Sequence, residues 1–506
     1  MRLVKLLFAL MLFVSTSIKA QNIEWLGELK WTVQPPLRIM ENNSNAYFAG
    51  AIGGNLYLEK YGLKSKRSEL YKQIKLFLNV EDNSMVNMFF KENELVCFFA
   101  MDEDLFISSI DINSGEILKD KVLLIDGDKM KGLSKVSYIV KWSNYLNEFY
   151  IRQDVFHHKE RLLIHNYKIL DADLNFYQSW SHEFNEGFYT SLGYAPDFYL
   201  TEKGDVYHEM MLGEYLSEIG DGSQVIDASL ININNAICLY NRNKGFEYKS
   251  IGVKGEFLLK GIFDDNGKEI CLLGWKSAKR NTDGLMMNVR YNWFESKIYR
   301  WVIDIETGEI DQQEIFIERD FIKRLDGDQG YSDKVELQLE NTFHSYEEDG
   351  SSLLFFTPDV ELGLVTKACI GSLVIKVTNS GELAYIEHIE LLQKRNSDGA
   401  DSGRKYKGPL VVEDDQFLHF IMSEDKSNKG VDKKMMLKIN GRPQVGKTEI
   451  IEVQSINKSS GERTIAYLDV DSDDFRLLTI YQPSEHSVII GRRGKNYGIG
   501  VFRFDN

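Results

Sequence analysis

Apolar and polar residues alternate along most of this chain, and the alternation breaks at short polar turns. Trp301-Val-Ile-Asp-Ile-Glu306 shows the pattern, with a turn at Thr307-Gly308 and a second β-rich run to Ile317. A period of two turns one face of a strand towards a core, and glycine supplies the positive φ that a tight hairpin turn needs. The pattern therefore predicts a hairpin here, and similar hairpins recur. Their turn residues are read as Gly62, Gly115, Asn175, Gly245, Gly308, Gly381 and Gly441. Gaps of roughly 50 to 75 residues suit a repeated unit of four strands joined by loops of variable length.

Within the second unit, strands are predicted over 87–91, 94–100, 105–112 and 117–125. Other units show the same first turn, as in Thr201-Glu-Lys-Gly204, Asp264-Asp-Asn-Gly267, Glu347-Glu-Asp-Gly350 and Glu413-Asp-Asp415. No segment sustains a period of 3.6, so few helices are expected. Near the N-terminus, Ile23, Trp25, Leu29, Trp31 and Val33 give a lone strand with a mostly apolar face around Gly27. The last unit, ending Tyr497-Gly-Ile-Gly-Val-Phe-Arg-Phe504, lacks a fourth strand. Pairing the first strand with the last closes a ring and removes two exposed edges. The prediction is an all-β chain of eight four-stranded units, or seven if the compact first unit, 37–62, is degenerate.

On these repeats, residues 21–506 resemble a β-propeller closed by its N-terminal strand, and the Asp-Ile-Glu-Thr-Gly-Glu turn resembles those of quinoprotein-type repeats. In overall character the chain is similar to exported propeller-like proteins of Bacteroidota. The resemblance implies blades around a central channel. The tryptophan dock of the quinoprotein repeat is missing, so no cofactor is expected. There is no Trp-Asp signature, and the one Gly-Gly pair is Gly53-Gly54, so WD40 and kelch repeats are not supported.

Composition narrows the setting. A 506-residue chain with 43% hydrophobic and 12% aromatic residues is not disordered. Arg2 and Lys5, the apolar run Leu6–Val14, and Ile18-Lys-Ala20 read as a cleaved signal peptide over 1–20. That run is too short for a membrane anchor, and no later stretch could span a bilayer. Removing Arg2, Lys5 and Lys19 takes the net charge from −16 to −19. So acidic a body argues against nucleic acid and anionic membranes as partners. The expected location is periplasmic or extracellular, and the expected state monomeric. Cys97, Cys238, Cys271 and Cys369 lack the spacing of a disulfide framework or a zinc site, so neither bridge nor metal is expected.

In a four-stranded meander, the turns from strand one to two and three to four share one face. The other connections share the opposite face. Length is expected to accumulate in the second set, over 186–196, 213–235, 277–295, 319–340, 358–370 and 393–408. Long loops on one rim of a rigid scaffold commonly carry function. Two of them are basic: Lys276, Lys279, Arg280 and Arg290 with Tyr291 and Trp293, and Lys394, Arg395, Arg404, Lys405 and Lys407 with Tyr406. Arginine beside aromatic rings suits an anionic group on a glycan or peptide, although solvated loop charge gives the same pattern. A third loop offers Tyr189 and Tyr194, for stacking on a sugar or for packing.

Other signals are incomplete. Gly441-Arg-Pro-Gln-Val-Gly-Lys-Thr448 matches a phosphate-binding loop but precedes a strand pattern and falls on a repeat turn. Asp469-Val-Asp-Ser-Asp473 lacks the glycine and distal glutamate of an EF-hand. Asp126-Gly-Asp128 and Asp326-Gly-Asp328 fit turn chemistry. His157-His158 lacks a third metal ligand. Two functions remain open: a ligand- or protein-binding module of the cell envelope, or a carbohydrate-active hydrolase or lyase with its site at the central channel on the long-loop face.

Overall fold

The computed structural model describes residues 22–30, 37–42, 44–52, 54–75, 83–127, 135–157, 162–184, 197–219, 225–242, 245–250, 257–258, 262–277, 297–315, 335–361, 366–396, 410–425, 449–468, 475–481, 486–493 and 496–503. Among them there is no α-helix, and every sheet is an antiparallel meander. The first strand, β1 (Asn22–Glu28), is set apart. Blade 1 is β2 (Leu37–Asn42), β3 (Asn45–Ile52), β4 (Asn55–Gly62) and β5 (Arg67–Lys75). Blade 2 is β6 (Asn83–Lys91), β7 (Glu94–Met101), β8 (Asp104–Asp111) and β9 (Ile117–Ile125), within a few residues of the strands predicted for that unit. Blade 3 is β10 (Lys135–Ser143), β11 (Glu148–His157), β12 (Leu162–Leu170) and β13 (Phe176–Phe184). Blade 4 is β14 (Tyr199–Leu200), β15 (Val206–Ile219), β16 (Val225–Asn241) and β17 (Gly245–Ser250).

Blade 5 has an interrupted first strand. Both β18 (Phe257–Leu258) and β19 (Ile262–Asp265) pair with β20 (Glu269–Ser277), and β21 (Lys297–Asp304) and β22 (Ile310–Ile315) follow. Blade 6 is β23 (Val335–Tyr346), β24 (Ser352–Glu361), β25 (Thr366–Val377) and β26 (Leu383–Asn396). Blade 7 is β27 (Leu410–Glu413), β28 (Phe417–Asp425), β29 (Glu449–Asn457) and β30 (Arg463–Leu468). The last sheet holds β31 (Phe475–Tyr481), β32 (His486–Arg493), β33 (Asn496–Arg503) and, as its fourth strand, β1. Seven sheets thus have four strands each and one has five. The molecule is a β-propeller, as the repeat pattern predicts.

The recurring turn has one local cause. The Asp304 carboxylate accepts the backbone N–H of Glu306 at 3.0 Å and Thr307 at 2.6 Å, and the Gly308 N–H donates to the Asp304 carbonyl at 2.8 Å. Asp111 arranges Asn113, Ser114 and Gly115 in the same way. Asn457 does so for Ser459, Ser460 and Gly461. The glycines have φ of +70°, +71° and +74°, so a side chain there would be strained. Blade 7 therefore makes its outer turn at Asn457-Lys-Ser-Ser-Gly-Glu462, and the assignment of that turn to Gly441 is wrong. Gly441 falls between β28 and β29, outside the described residues.

Apolar side chains pack between blades, because each sheet exposes an apolar row on both faces. Val96, Phe98 and Ile107 of blade 2 meet Val140, Phe149 and Ile151 of blade 3. Leu353, Phe355 and Val374 of blade 6 meet Leu418, Phe420 and Ile456 of blade 7. At the ring closure, Leu29 and Ile499 are buried with Ile39, Phe48 and Tyr61 of blade 1. Strand β1 runs antiparallel to β33, with Ile23 opposite Phe502 and Trp25 opposite Gly500. A Cβ on Gly27 would lie 2.1 Å from the Tyr61 hydroxyl, so the register shift between Trp25 and Gly27 needs glycine there. Trp31, Val33 and Phe504, also assigned to these end strands, lie outside the described residues.

Candidate functional site

The short turns lie on one face of the ring, as the meander requires. On the other face, two of the predicted loops turn out to be strands. The stretch 213–235 lies mostly within the β15–β16 hairpin, paired from Val206–Tyr240 out to Ile219–Val225. Likewise 358–370 belongs largely to β24 and β25. The strands of blades 1 and 2 have at most nine residues. Blade 4 has strands of 14 and 17 residues, and blade 6 has strands of 12, 10, 12 and 14. The additional residues extend away from the short turns, so blades 4 and 6 stand taller on the long-connection face, with blade 5 between them.

Lys276 sits next to the end of β20, with its Cα opposite that of Lys297. Lys279, Arg280, Arg290, Tyr291 and Trp293 follow in the connection from β20 to β21, outside the described residues. So do Arg404, Lys405 and Tyr406, between β26 and β27, and Tyr189 and Tyr194, between β13 and β14. The strands bracketing all three connections end on the long-connection face. Lys394 and Arg395, counted with the loop, are strand residues whose Cα atoms pair with those of Ala368 and Lys367. The phosphate-loop match and the aspartates at 469–473 and 326–328 lie outside the described residues too, as do His158 and Asp128.

The described residues hold a polar cluster that the sequence reading missed. Alternation on β11 puts Arg152 and Asp154 on one face, 0% and 4% exposed, with Arg152 Nε 2.8 Å from Asp154 Oδ1. Strand β12 places His165 opposite Asp154 and Tyr167 opposite Arg152. From blade 4, His208 Nδ1 shares a hydrogen bond of 3.0 Å with Tyr167 Oη, and its ring centroid lies 5.0 Å from that of His165. Burial, reinforced by the Arg152 charge, holds the pKa values of both imidazoles well below the ordinary value. Burial raises that of Asp154, while Arg152 opposes the shift. Burial raises the pKa of Tyr167 as it lowers that of His208, so both stay neutral and share a hydrogen bond rather than exchange a proton. The members of the cluster are sealed between the blades, and its evident work is to key blade 3 to blade 4. The signal for it was the polar run Arg152-Gln-Asp154 inside an apolar strand.

Two other groupings bind blades and turns. Arg300, 1% exposed, donates to Ser352 Oγ at 3.1 Å, Gln313 Oε1 at 2.6 Å, and the carbonyls of Asn379 at 3.0 Å and Gly350. One guanidinium from blade 5 thereby fixes two short turns of blade 6. In blade 7, His419 lies 3.0 Å from Asp414 and 2.7 Å from Ser455. Backbone amides and His419 hold the Asp414 carboxyl at a pKa of about 2 against the cost of burial. Aspartate, histidine and serine here resemble a nucleophilic triad in composition. However, Ser455 is 4% and His419 3% exposed, and the trio ties the Asp414 turn to β28 and β29. Among the described residues, no group of three or more His, Cys, Asp and Glu is placed to hold a metal ion. Cys97, Cys238 and Cys271 are buried free thiols whose pKa values burial raises, unsuited to nucleophilic work.

The fold defines a β-propeller with its long connections gathered on one face. No family model matches the sequence, and no curated protein does. Similar solved structures align over most of this chain at low sequence identity. They include polysaccharide lyase Uly1, at 11% identity over 83% of this chain and 90% of that one, TM-score 0.40. The WD40 domain of SCAP from fission yeast shows 8% identity over 96% and 95% of the two chains, TM-score 0.39. An ulvan lyase from a new polysaccharide lyase family shows 11% identity over 84% and 95%, TM-score 0.37. Likenesses this distant assign neither ligand nor reaction.

Proposed function

We propose that this chain is an exported binding module of the cell envelope, holding an anionic glycan or peptide, or an acidic segment of another envelope protein, on its long-connection face. The observation that carries the reading is the unequal height of the blades. Blades 4 and 6 rise as paired strands on either side of blade 5, whose β20–β21 connection carries Lys279, Arg280, Arg290, Tyr291 and Trp293 in its sequence. Arginine and lysine among aromatic residues suit an anionic group, and paired strands on the neighbouring blades would bound a site there. The sequence features of 1–20 support export to the periplasm or beyond.

The test is an array of sulfated and uronate-bearing glycans probed with residues 21–506, followed by assay of every hit for bond cleavage. Binding without turnover is expected, with affinity falling as salt rises and at least tenfold loss in Arg280→Ala/Arg290→Ala. Cleavage of a bound glycan would replace this reading with the hydrolase or lyase.

A further inference from the structure

A cleft of about 550 Å³ opens between the innermost strands of blades 3 and 4, on the short-turn face. Its walls include Lys141, Trp142 and Tyr145 from the end of β10 and the turn after it, and Tyr199, Leu200 and Glu202 from β14 and its turn. This is the opposite side of the ring from the basic connections. We infer that the cleft is a separate binding site for a neutral saccharide, seated against the exposed ring of Tyr145.

Three observations carry this. First, the walls are fixed before any ligand arrives. The Trp142 ring lies 4.3 Å from that of Phe149, and Tyr199 stacks on Phe263 at 6.1 Å while its hydroxyl donates to Asp265 at 2.7 Å. The Ser143 hydroxyl accepts the Leu146 amide at 3.1 Å, and the Thr201 hydroxyl accepts the Asp205 amide at 3.0 Å, so both turns are braced. Second, Tyr145 is 73% exposed, the most exposed of the large apolar side chains described. Burying a ring costs little conformational entropy, and its face suits the C–H face of a sugar.

Third, the charge of the lining does not fit an anion. Lys141 Nζ is 3.1 Å from Asp197 and 5.2 Å from the Phe198 ring, so its charge is already engaged. Glu202 is exposed at the rim, and Asp264 and Asp265 lie behind Tyr199. What remains is an aromatic surface edged by Glu202 and Asn144, a carboxylate and an amide suited to sugar hydroxyls. Clefts of this size with a few polar groups are typical of small-ligand sites.

The test titrates residues 21–506 with cellohexaose, maltohexaose, laminarihexaose and chitohexaose by calorimetry, at low and high salt. At least one should bind, with affinity unchanged by salt. Tyr145→Ala should weaken it at least tenfold, Glu202→Gln about threefold to tenfold, and Tyr145→Phe less than threefold, with melting temperatures unchanged. No binding across the panel, or binding indifferent to Tyr145→Ala, would overturn the inference. So would displacement by an oligolysine peptide with a steep salt dependence, which would mark a cation site. The acidic glycans used for the opposite face are absent here, so the two readings fail separately.

Discussion

Residue by residue, the inner ring depends on a few polar side chains placed where strands of different blades meet. Asp264 accepts the Tyr346 amide of blade 6 at 2.6 Å and lies 3.4 Å from the Tyr199 hydroxyl of blade 4. Burial nevertheless lifts its pKa to about 6, because removal from water outweighs these bonds and the Asp265 charge adds to the shift. A carboxyl whose folded pKa exceeds its unfolded value stabilises the fold at low pH, and that contribution is lost as pH rises through about 6. Asp264→Asn should therefore be more stable than the native chain at pH 7.5, by about 2 kcal/mol. Thermal unfolding by circular dichroism at pH 7.5 and pH 5 would check this. The variant should lack the share of stability that the native chain gains at the lower pH. Little of this was legible in the sequence. Asp264 reads as a turn residue, and His165 and His208 as isolated polar positions, because their partners come from another strand or another blade; the polar run Arg152-Gln-Asp154 is the one trace of the buried cluster in the sequence.

Among the elements, the hairpin turns were the most legible, since Asp304 and Asp111 order their own turns through local hydrogen bonds. The Asn457-Lys-Ser-Ser-Gly-Glu462 turn carries the same chemistry and was available to reading, but Asn440-Gly441 competed for it. Strand extensions in blades 4 and 6 were illegible for a different reason. Pairing beyond the ring needs no buried face, so the apolar alternation fades while the hydrogen-bonded ladder continues. The outer strand β9 shows how an exposed edge is managed. Ile117, Leu118, Val122 and Leu123 are each 44–51% exposed around Lys119-Asp-Lys121, and the pairing with β8 shifts register three times. Charge and irregularity in such a strand oppose pairing with a neighbouring molecule. Strand β1 is the opposite case, an element whose edge must pair. Beginning the chain at residue 31 should leave β33 open and remove Leu29 from its packing against Ile39, Phe48 and Tyr61 of blade 1. The expected result is a melting temperature lower by at least 10 °C and concentration-dependent aggregation, measured by scanning calorimetry and light scattering.

At the scale of the whole molecule, both the all-β class and the closure of the ring were legible, because the repeat left one strand over at the start and one missing at the finish. The candidate ligand residues on the long connections were legible as chemistry alone, because loop positions carry no periodic pattern. Closure leads to a direct prediction about connectivity. Asn22 lies opposite Arg503 across the β1–β33 ladder, so these two points of the chain adjoin. A circular permutant joining them through a short Gly/Ser linker, opened between Glu306 and Thr307 in the exposed outer turn of blade 5, should keep the native circular dichroism spectrum. Its melting temperature should fall by less than about 5 °C, since the new ends interrupt a turn and no strand.

The shared last blade also sets an order of events during synthesis. The ribosome delivers β1 before any blade exists and β33 after all the others are complete. Until then the leading segment waits without its place in the ladder, and the gap beside blade 1 stays open to solvent. The final step of assembly is thus a meeting of the oldest and youngest parts of the polypeptide, so a truncated product would be left as an open arc, exposed to quality-control proteases.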